Sequence, residues 1–334
     1  MTDHELELPA LLGNSPLGFL AALGLLQLTQ PLLEQPPRLS WRGPDAPAVL
    51  HTHQPLTHQS LADLLARQLP LEDDDLLTVA PGILGLPASG PFGDALRMPV
   101  DLALDLLACH AQAERDRSAP TARWFTALVN QLSLETSNKK TAGRPASGDR
   151  GDLYTTTTPH FGRTGQMTLA ASWAKAADHC RSDSSHLIAA LVAWRRVDDY
   201  AGANLDHYAT GDAHMVSHGK ASQRGVPGAT WLALHGLAAF RLTGDTTRAQ
   251  TTSWDHTAPN GALTWPIWKQ PLTTTAITAL LEHPLVRHPN PDTTKLHNLG
   301  VTALYVAHRT RLGQGHGPLQ PARRIHPAPT SNDL

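Results

Sequence analysis

Cysteine and long apolar runs are both scarce in this sequence. The 334 residues include two cysteines, Cys109 and Cys180, and no C-x-x-C pair, which excludes a zinc ribbon and a thioredoxin motif. The longest apolar run, residues 16–28, is shorter than the roughly 20 residues of a membrane-spanning helix. The N-terminus is acidic, where a secretory leader would be basic. We therefore expect a cytoplasmic protein that does not cross a membrane.

The common catalytic motifs are also missing. The sequence contains no P-loop, no G-x-S-x-G elbow, no H-E-x-x-H helix and no G-x-G-x-x-G turn. This pattern favours a protein that is not an enzyme and that carries no metal ion or cofactor.

A metal-dependent hydrolase or nuclease remains the alternative. His214 and His218 are four residues apart, as zinc ligands on one helical turn are, although the glycines beside them oppose a rigid helix. Paired carboxylates such as Asp198 and Asp199 can bind Mg²⁺. The candidate set for this alternative is His207, His214, His218, Asp198 and Asp199. A second histidine group has no glutamate or cysteine close enough to complete a site, and comprises His51, His53 and His58.

Apolar spacing predicts an α+β fold of mixed helices and antiparallel hairpins. Asn14 or Ser15 can cap a first helix that begins at Pro16, and its Gly18 and Gly24 would let another backbone approach closely. Further helices are predicted over 100–113, 122–132, 186–197, 227–240 and 272–282. Strands are predicted over 38–42, 48–53, 153–158, 166–173, 248–256, 262–268 and 301–311.

A polar, glycine-rich stretch at 136–151 predicts a long loop and divides the chain into two lobes. The expected organisation is an N-terminal lobe over 1–135 with an acidic surface, a C-terminal lobe over 136–312 with basic loops, and a flexible, proline-rich tail over 313–334. Formal charge follows this division, because residues 1–114 carry a net charge of −10 whereas residues 115–334 are net basic. Such asymmetry suggests a polyanionic partner for the basic lobe.

The basic loops are candidates for contacts with nucleic acid. Lysine and arginine supply charge to phosphates, and the Ser, Thr and Asn residues among them can hydrogen-bond phosphate oxygens. The candidate phosphate contacts are Lys139, Lys140, Arg144, Arg150, Arg163, Arg195, Arg196, Lys220 and Arg224. Aromatic side chains can stack on bases, and the candidates for that role are Tyr154 and Phe161.

Two segments resemble a known family. Residues 14–26, Asn-Ser-Pro-Leu-Gly-Phe-Leu-Ala-Ala-Leu-Gly-Leu-Leu, followed by Arg-Leu-Ser-Trp at 38–41, resemble the start of CRISPR-associated proteins of the type I-G group (formerly I-U). There, a helix with the pattern P-L-x-x-(F/Y)-L-x-A-L-G leads into a strand that carries tryptophan. Residues 228–233, 253–254 and 265–272 are similar to large-subunit-like or accessory members.

The resemblance implies a non-catalytic subunit of a type I RNA-guided surveillance complex of the Cascade kind. Its partners would be crRNA or target DNA and other CRISPR-associated subunits. The resemblance assigns no binding residue. A protein-binding adaptor without nucleic-acid contact is the third possibility.

Overall fold

The computed structural model describes residues 3–69, 97–98, 108, 153–154, 158–162, 169–206, 208, 223–244, 249–288, 291–312 and 315–326. The fold is α+β, as predicted. The chain divides into two compact units, of which the first comprises residues 1–69, 160–239 and 253–334, and the second comprises 70–159 and 240–252. The predicted lobe boundary at residue 136 lies outside the described residues, as do nearly all of the two predicted helices between residues 100 and 132.

The first unit contains eight described α-helices and two larger sheets. Its helices are α1 (Pro16–Thr29), α2 (His58–Ala66), α3 (Leu169–Ser182), α4 (Ser185–Val192), α5 (Pro227–Gly236), α6 (Thr274–Glu282), α7 (Pro284–Arg287) and α8 (Thr293–Asn298). One sheet has the order β1 (His4–Leu12), β3 (Pro47–Thr52) and β2 (Arg38–Trp41). The other comprises β10 (Trp254–Asp255), β11 (Ala262–Trp268), β12 (Val301–Leu312), β13 (Gly315–Leu319) and β14 (Arg323–His326).

Short strand pairs complete the described secondary structure, together with three 3₁₀ helices at Gln30–Leu32, Gly202–Asn204 and Leu237–Ala239. In the first unit, β6 (Val197–Asp198) pairs with β7 (Arg224–Gly225). In the second unit, β4 (Arg97–Met98) pairs with β5 (Leu153–Tyr154), and β8 (Leu242–Gly244) pairs with β9 (Ala249–Thr251). None of the described helices is both long enough and apolar enough to span a membrane.

The three-stranded sheet separates a polar face from an apolar one. Leu8, Leu39 and Leu50 are buried on the inner face, because alternate side chains of a strand point to opposite sides. The opposite face carries ion pairs, including that of Arg42 with Glu5. The pairing of β2 with β3 confirms the predicted hairpin, whereas β1 is a strand that the sequence analysis missed.

The five-stranded sheet confirms the second hairpin and the long strand after it. The connection between β10 and β11 covers residues 256–261 and contains a turn in which the Gly261 amide donates to the carbonyl of Ala258 at 2.8 Å. Asn260, inside that turn, has a positive φ of 60°, as the second central residue of a type II turn does. β11 pairs antiparallel with β12 along its length. The first strand of the hairpin is shorter than predicted, since residues 249–251 pair with β8 instead. Within the range predicted as a flexible tail, β13 and β14 both pair with β12.

One predicted strand is wrong. The sequence analysis assigned residues 166–173 to a strand, but residues 169–182 form α3. The segment is rich in alanine, the strongest helix former, and its buried residues Trp173, Ala177 and Cys180 recur at spacings of four and three. That spacing fits the buried face of a helix rather than the alternation of a strand.

The centre of the first unit is the crossing of α1 and α5. Ser15 caps α1 by accepting a hydrogen bond from the Gly18 amide, as predicted. Every residue of α1 except Gln27 is buried, and so is every residue of α5. Helices that are apolar on all sides belong inside a protein.

Glycines make the crossing of α1 and α5 close and reciprocal. A Cβ placed on Gly24 would lie 1.6 Å from the carbonyl oxygen of Leu232, and one on Gly236 would lie 2.1 Å from that of Leu20. The predicted close approach at Gly24 is therefore confirmed. The two helices also share an aromatic-Leu-Ala-x-x-Gly-Leu pattern, at residues 19–25 and 231–237, which the sequence analysis missed.

An aromatic cluster covers one side of α1. The ring centroid of Phe19 lies 5.7 Å from that of Trp265, 6.1 Å from that of Trp41 and 6.2 Å from that of Trp268. The indole N–H of Trp265 donates to the carbonyl of Gly13, and that of Trp268 donates to the carbonyl of Leu39, both at 2.8 Å. Both tryptophans of β11 thus join the five-stranded sheet to the segments around β2 and α1.

A buried histidine at the end of α5 should make the protein sensitive to acid. His235 packs against the rings of Trp173 and Trp231, and burial lowers its pKa to about 3. In the unfolded chain this histidine binds a proton below about pH 6.5, whereas in the native state it stays neutral. The free energy of unfolding therefore falls as the pH drops below that value. We expect this residue to remove about 2 kcal/mol of unfolding free energy between pH 7 and pH 5.

Urea denaturation of the parent chain and of a His235→Leu variant at both pH values checks this expectation. The variant should lose less stability on acidification than the parent, by about the same 2 kcal/mol. An equal loss in both proteins would show that His235 is not the source of the acid sensitivity.

Candidate functional site

A cleft of about 770 Å³ opens on the surface of the first unit. This volume falls in the range of small-ligand sites. Its walls come from the end of β1 and the turn before α1, from the end of α4 with the residues after it, and from β12 and the segment leading into β14. The side chains used below are Asp45, Val192, Trp194, Arg196, Tyr208, Tyr305 and Arg324.

An exposed aromatic ring stands at this cleft. Tyr208 is 67% exposed, and Val192, also in the cleft, is 39% exposed. In the part of the chain that the structure describes, the only other large hydrophobic side chain that is exposed is Leu299. The cleft therefore gathers apolar surface that the rest of the described fold buries, which is typical of a binding site.

A buried carboxylate positions Arg196 beside this ring. Asp206 is 3% exposed and accepts an ion-pair contact from the Arg196 Nη1 at 2.7 Å. Its other oxygen accepts a hydrogen bond from the Tyr208 amide at 3.0 Å. The guanidinium carbon of Arg196 lies 5.6 Å from the centre of the Tyr208 ring, within the range of a cation–π contact. Asp206 thus fixes the cation and the backbone of the aromatic residue in one arrangement.

The facing wall carries a second arginine. The Tyr305 hydroxyl donates to Asp45 at 2.5 Å, and Asn14 donates to the same carboxylate oxygen at 3.1 Å. Burial and the neighbouring Asp45 raise the pKa of Tyr305, which keeps this hydroxyl protonated. Arg324 approaches the other oxygen of Asp45 at 4.0 Å only.

Two N–H donors at this cleft have no acceptor among the described residues. They are the indole N–H of Trp194 and the Nε of Arg324, both buried atoms. A buried donor without an acceptor is costly. Because both atoms are closed to solvent, a ligand in the cleft would reach them only after these side chains move.

The structure brings together three of the predicted phosphate contacts. Arg195 and Arg196 follow α4, and Arg196 Nη1 donates to the carbonyl of Arg224 at 2.7 Å. Arg224 and Arg195 are exposed, but each forms an ion pair. Arg224 lies 2.7 Å from the Asp198 carboxylate, and Arg195 lies 2.6 Å from the Asp183 carboxylate. Hydrogen bonds from Ser185 and Arg195 hold the pKa of Asp183 well below its usual range. Of the three, only Arg196 lines the cleft.

The other predicted contacts are distributed differently. Phe161 is 3% exposed, so its ring offers no face to a base, and Tyr208 is the exposed aromatic residue instead. Tyr154 lies in β5. The remaining candidates lie outside the described residues, and they are Lys139, Lys140, Arg144, Arg150, Arg163 and Lys220.

Tyr208 could have been found from the sequence only by an indirect signal. It is a tyrosine in the polar, irregular segment 198–224, where an aromatic side chain has few apolar neighbours along the chain. The link to Arg196 depends on Asp206, whose burial is a property of the folded structure.

Most of the candidate metal ligands lie outside the described residues. His207, His214 and His218 lie outside the described residues. The Asp198 carboxylate pairs with Arg224, and Asp199 has a positive φ of 57°. Among the residues that the structure describes, no three histidine, cysteine or acidic side chains gather as a metal site would require.

The second histidine group belongs to the polar face of the three-stranded sheet. His51 Nε2 lies 2.8 Å from the Ser40 hydroxyl, and its Nδ1 lies 3.7 Å from Glu5. Although these residue types match a hydrolase triad, Ser40 is 5% exposed, and 3.7 Å exceeds hydrogen-bond length. Burial, the largest influence, lowers the pKa of His51.

The other two histidines of this group also contact neighbouring elements. His53 lies 3.8 Å from Asp3, and the Nε2 of His58 lies 2.7 Å from the carbonyl oxygen of Glu7. The arrangement links neighbouring strands.

Comparison with known proteins adds no relative. The sequence matches no protein-family model, and no curated protein is significantly similar to it.

Proposed function

We propose that this chain is a non-catalytic subunit of a type I CRISPR RNA-guided surveillance complex, and that it binds a single-stranded part of crRNA or target DNA. The observation that carries the proposal is the exposed Tyr208 ring held beside the Arg196 guanidinium. The resemblance of residues 14–26 and 38–41 to type I-G proteins supplies the biological setting. Neighbouring CRISPR-associated subunits would be its protein partners.

The cleft offers the groups that single-stranded nucleic acids require. A base can stack on the exposed face of Tyr208, as bases do on aromatic residues in sequence-tolerant binding grooves. Arg196 and Arg324 supply positive charge for the phosphates on either side of that base. Such a site would favour a single strand, because a duplex hides its base faces.

A Tyr208→Ala variant is expected to bind single-stranded RNA or DNA about 5- to 150-fold more weakly, the effect of losing one stacked base. An Arg324→Ala variant should make the dependence of log affinity on log salt shallower by about 0.7 for a single strand. Arg196 is less suitable for this test, because its removal would leave the buried Asp206 carboxylate without this cation. Fluorescence anisotropy with a labelled oligonucleotide measures both quantities.

Matched controls separate the cleft from the rest of the surface. Leu299→Ala removes an exposed apolar side chain that does not line the cleft, and Arg67→Ala removes an exposed charge that does not line it either. Both controls should leave affinity and salt slope unchanged. If the folded Tyr208→Ala variant binds as tightly as the parent chain, this cleft is not the binding site. A triple change of Lys139, Lys140 and Arg144 to alanine then tests the predicted basic loop.

If the parent chain binds no nucleic acid, alone or with the subunits encoded beside it, the result would favour the interpretation as a protein-binding adaptor. A stoichiometric metal ion in the purified protein would favour the hydrolase.

A further inference from the structure

A second cleft of about 520 Å³ lies elsewhere on the first unit, between α7 and the five-stranded sheet. None of its lining residues lines the first cleft. The polar side chains used here are Ser253, Asp255, Arg287, His308 and Arg323.

No described protein group neutralises the two arginines of this second cleft. Arg287 and Arg323 are both exposed, and neither forms an ion pair or a side-chain hydrogen bond with any described residue. This differs from the first cleft, where Arg196 is paired with Asp206. Two unpaired guanidinium groups lining one concavity repel each other, and an anion between them would relieve that repulsion.

A buried hydroxyl adds an independent sign of a ligand. Ser253 lines the same cleft and is 8% exposed, and its Oγ has no hydrogen-bond partner among the described residues. Its backbone has a φ of 65°, in the left-handed region, which a residue other than glycine adopts only at some energetic cost. The fold thus holds Ser253 in an uncommon backbone conformation with an unused hydroxyl. Because that oxygen is closed to solvent, its side chain must rotate towards the cleft before the hydroxyl can donate to a ligand.

Asp255 is the one carboxylate among the described residues that line this cleft, and it accepts hydrogen bonds within its own turn. An oxygen of Asp255 accepts hydrogen bonds from the amide and the hydroxyl of Thr257, at 2.8 Å and 2.7 Å. The formal charge of the lining therefore remains positive, with two arginines against one aspartate. His308 adds a ring nitrogen that can donate to an anion.

We propose that this second cleft binds a phosphate monoester, with Arg287 and Arg323 on its oxygens and the Ser253 hydroxyl donating to one of them. Arginine forks match phosphate oxygens in geometry and charge. The volume exceeds that needed for inorganic phosphate alone and can hold a mononucleotide or the terminal nucleotide of a strand. The proposal goes beyond the nucleic-acid cleft and does not depend on it.

Titration calorimetry of the full chain with inorganic phosphate, adenosine 5′-monophosphate and adenosine tests the proposal. The two phosphate compounds should bind, and adenosine should not. Arg287→Ala, Arg323→Ala and Ser253→Ala should each weaken binding by about tenfold or more, the effect of one lost hydrogen bond to a charged group. Arg67→Ala should leave binding unchanged. Equal binding of adenosine and its monophosphate, or an unaltered affinity in the folded arginine variants, would overturn the proposal.

Two further arms identify the source of the phosphate and keep the two sites distinct. If the phosphate belongs to a strand end, a 5′-phosphorylated oligonucleotide should bind more tightly than its 5′-hydroxyl counterpart, and the Arg287→Ala variant should lose that difference. If the phosphate belongs to a free nucleotide, the two oligonucleotides should bind equally while the monophosphate still binds. The Tyr208→Ala variant should still bind the monophosphate in either case. If this variant no longer binds the monophosphate, the second cleft is not a separate site.

Discussion

A Gly24→Ala variant is expected to lose about 3 kcal/mol of unfolding free energy or more, at the upper end of what overpacking does in protein cores. The added methyl group would stand 1.6 Å from the carbonyl oxygen of Leu232. That atom belongs to the backbone of α5, so no side-chain rotation can relieve the clash. The two helices must separate, and their buried apolar faces would then pack poorly. A Gly24→Leu variant should be worse still.

Thermal or urea denaturation measures this loss, and the fold supplies a matched control. A Cβ on Gly43 would meet nothing closer than the Ala46 side chain at 3.8 Å, so Gly43→Ala should change stability little. Gly236→Ala should resemble Gly24→Ala. The double variant should lose less than the two single losses added together, because one separation of the helices relieves both clashes. Equal melting temperatures for the Gly24→Ala and Gly43→Ala variants would contradict the packing described for α1 and α5.

An Arg309→Met variant is the second change for which we expect a loss of about 3 kcal/mol or more. Arg309 is 2% exposed and has no carboxylate partner among the described residues. Its guanidinium donates to three carbonyls, those of His160 at 2.7 Å, Gly317 at 2.9 Å and Asn204 at 3.3 Å. Methionine would leave these oxygens without this donor, and each unsatisfied buried group costs about 1–3 kcal/mol.

The surroundings of Arg309 explain why a single cation is tolerated there. Its guanidinium lies 5.3 Å from the ring of Trp254, and burial lowers its pKa to about 9, so it stays charged at neutral pH. The control is Arg311→Met on the same strand, where the side chain is exposed. The unfolding free energies of the two variants, measured by denaturation, should differ by most of the predicted loss. A stable Arg309→Met protein would mean that these carbonyls find other donors.

The same two residues show what the sequence alone could and could not predict. Gly24 lies in a strongly apolar helix, where a glycine is unfavourable unless a backbone comes close, so its role could be inferred without knowing the partner. Arg309 lies in a predicted strand and gives no local sign of burial. Its burial results from the loop at His160 and the β12–β13 pairing, which join positions far apart in the chain.

The candidate site was predictable in part for the same reason. Arg196 was expected to contact phosphates because it is one of the basic residues that are interspersed with Ser, Thr and Asn. Phe161 and Tyr208 occur in similarly polar, glycine-rich stretches, and the sequence does not distinguish the buried ring from the exposed one. Long-range packing decides this, and the buried Asp206 that positions Arg196 belongs to the same packing.

The α1–α5 crossing has a consequence for synthesis of the protein on the ribosome. α1 ends at Thr29 and its partner ends at Gly236, so about 200 residues must be added after α1 before the crossing can form. At translation rates of roughly 5–20 residues per second, that takes about 10–40 s. Throughout this interval the nascent chain contains an apolar segment without its partner helix, and such transiently exposed surface is prone to aggregate unless chaperones shield it.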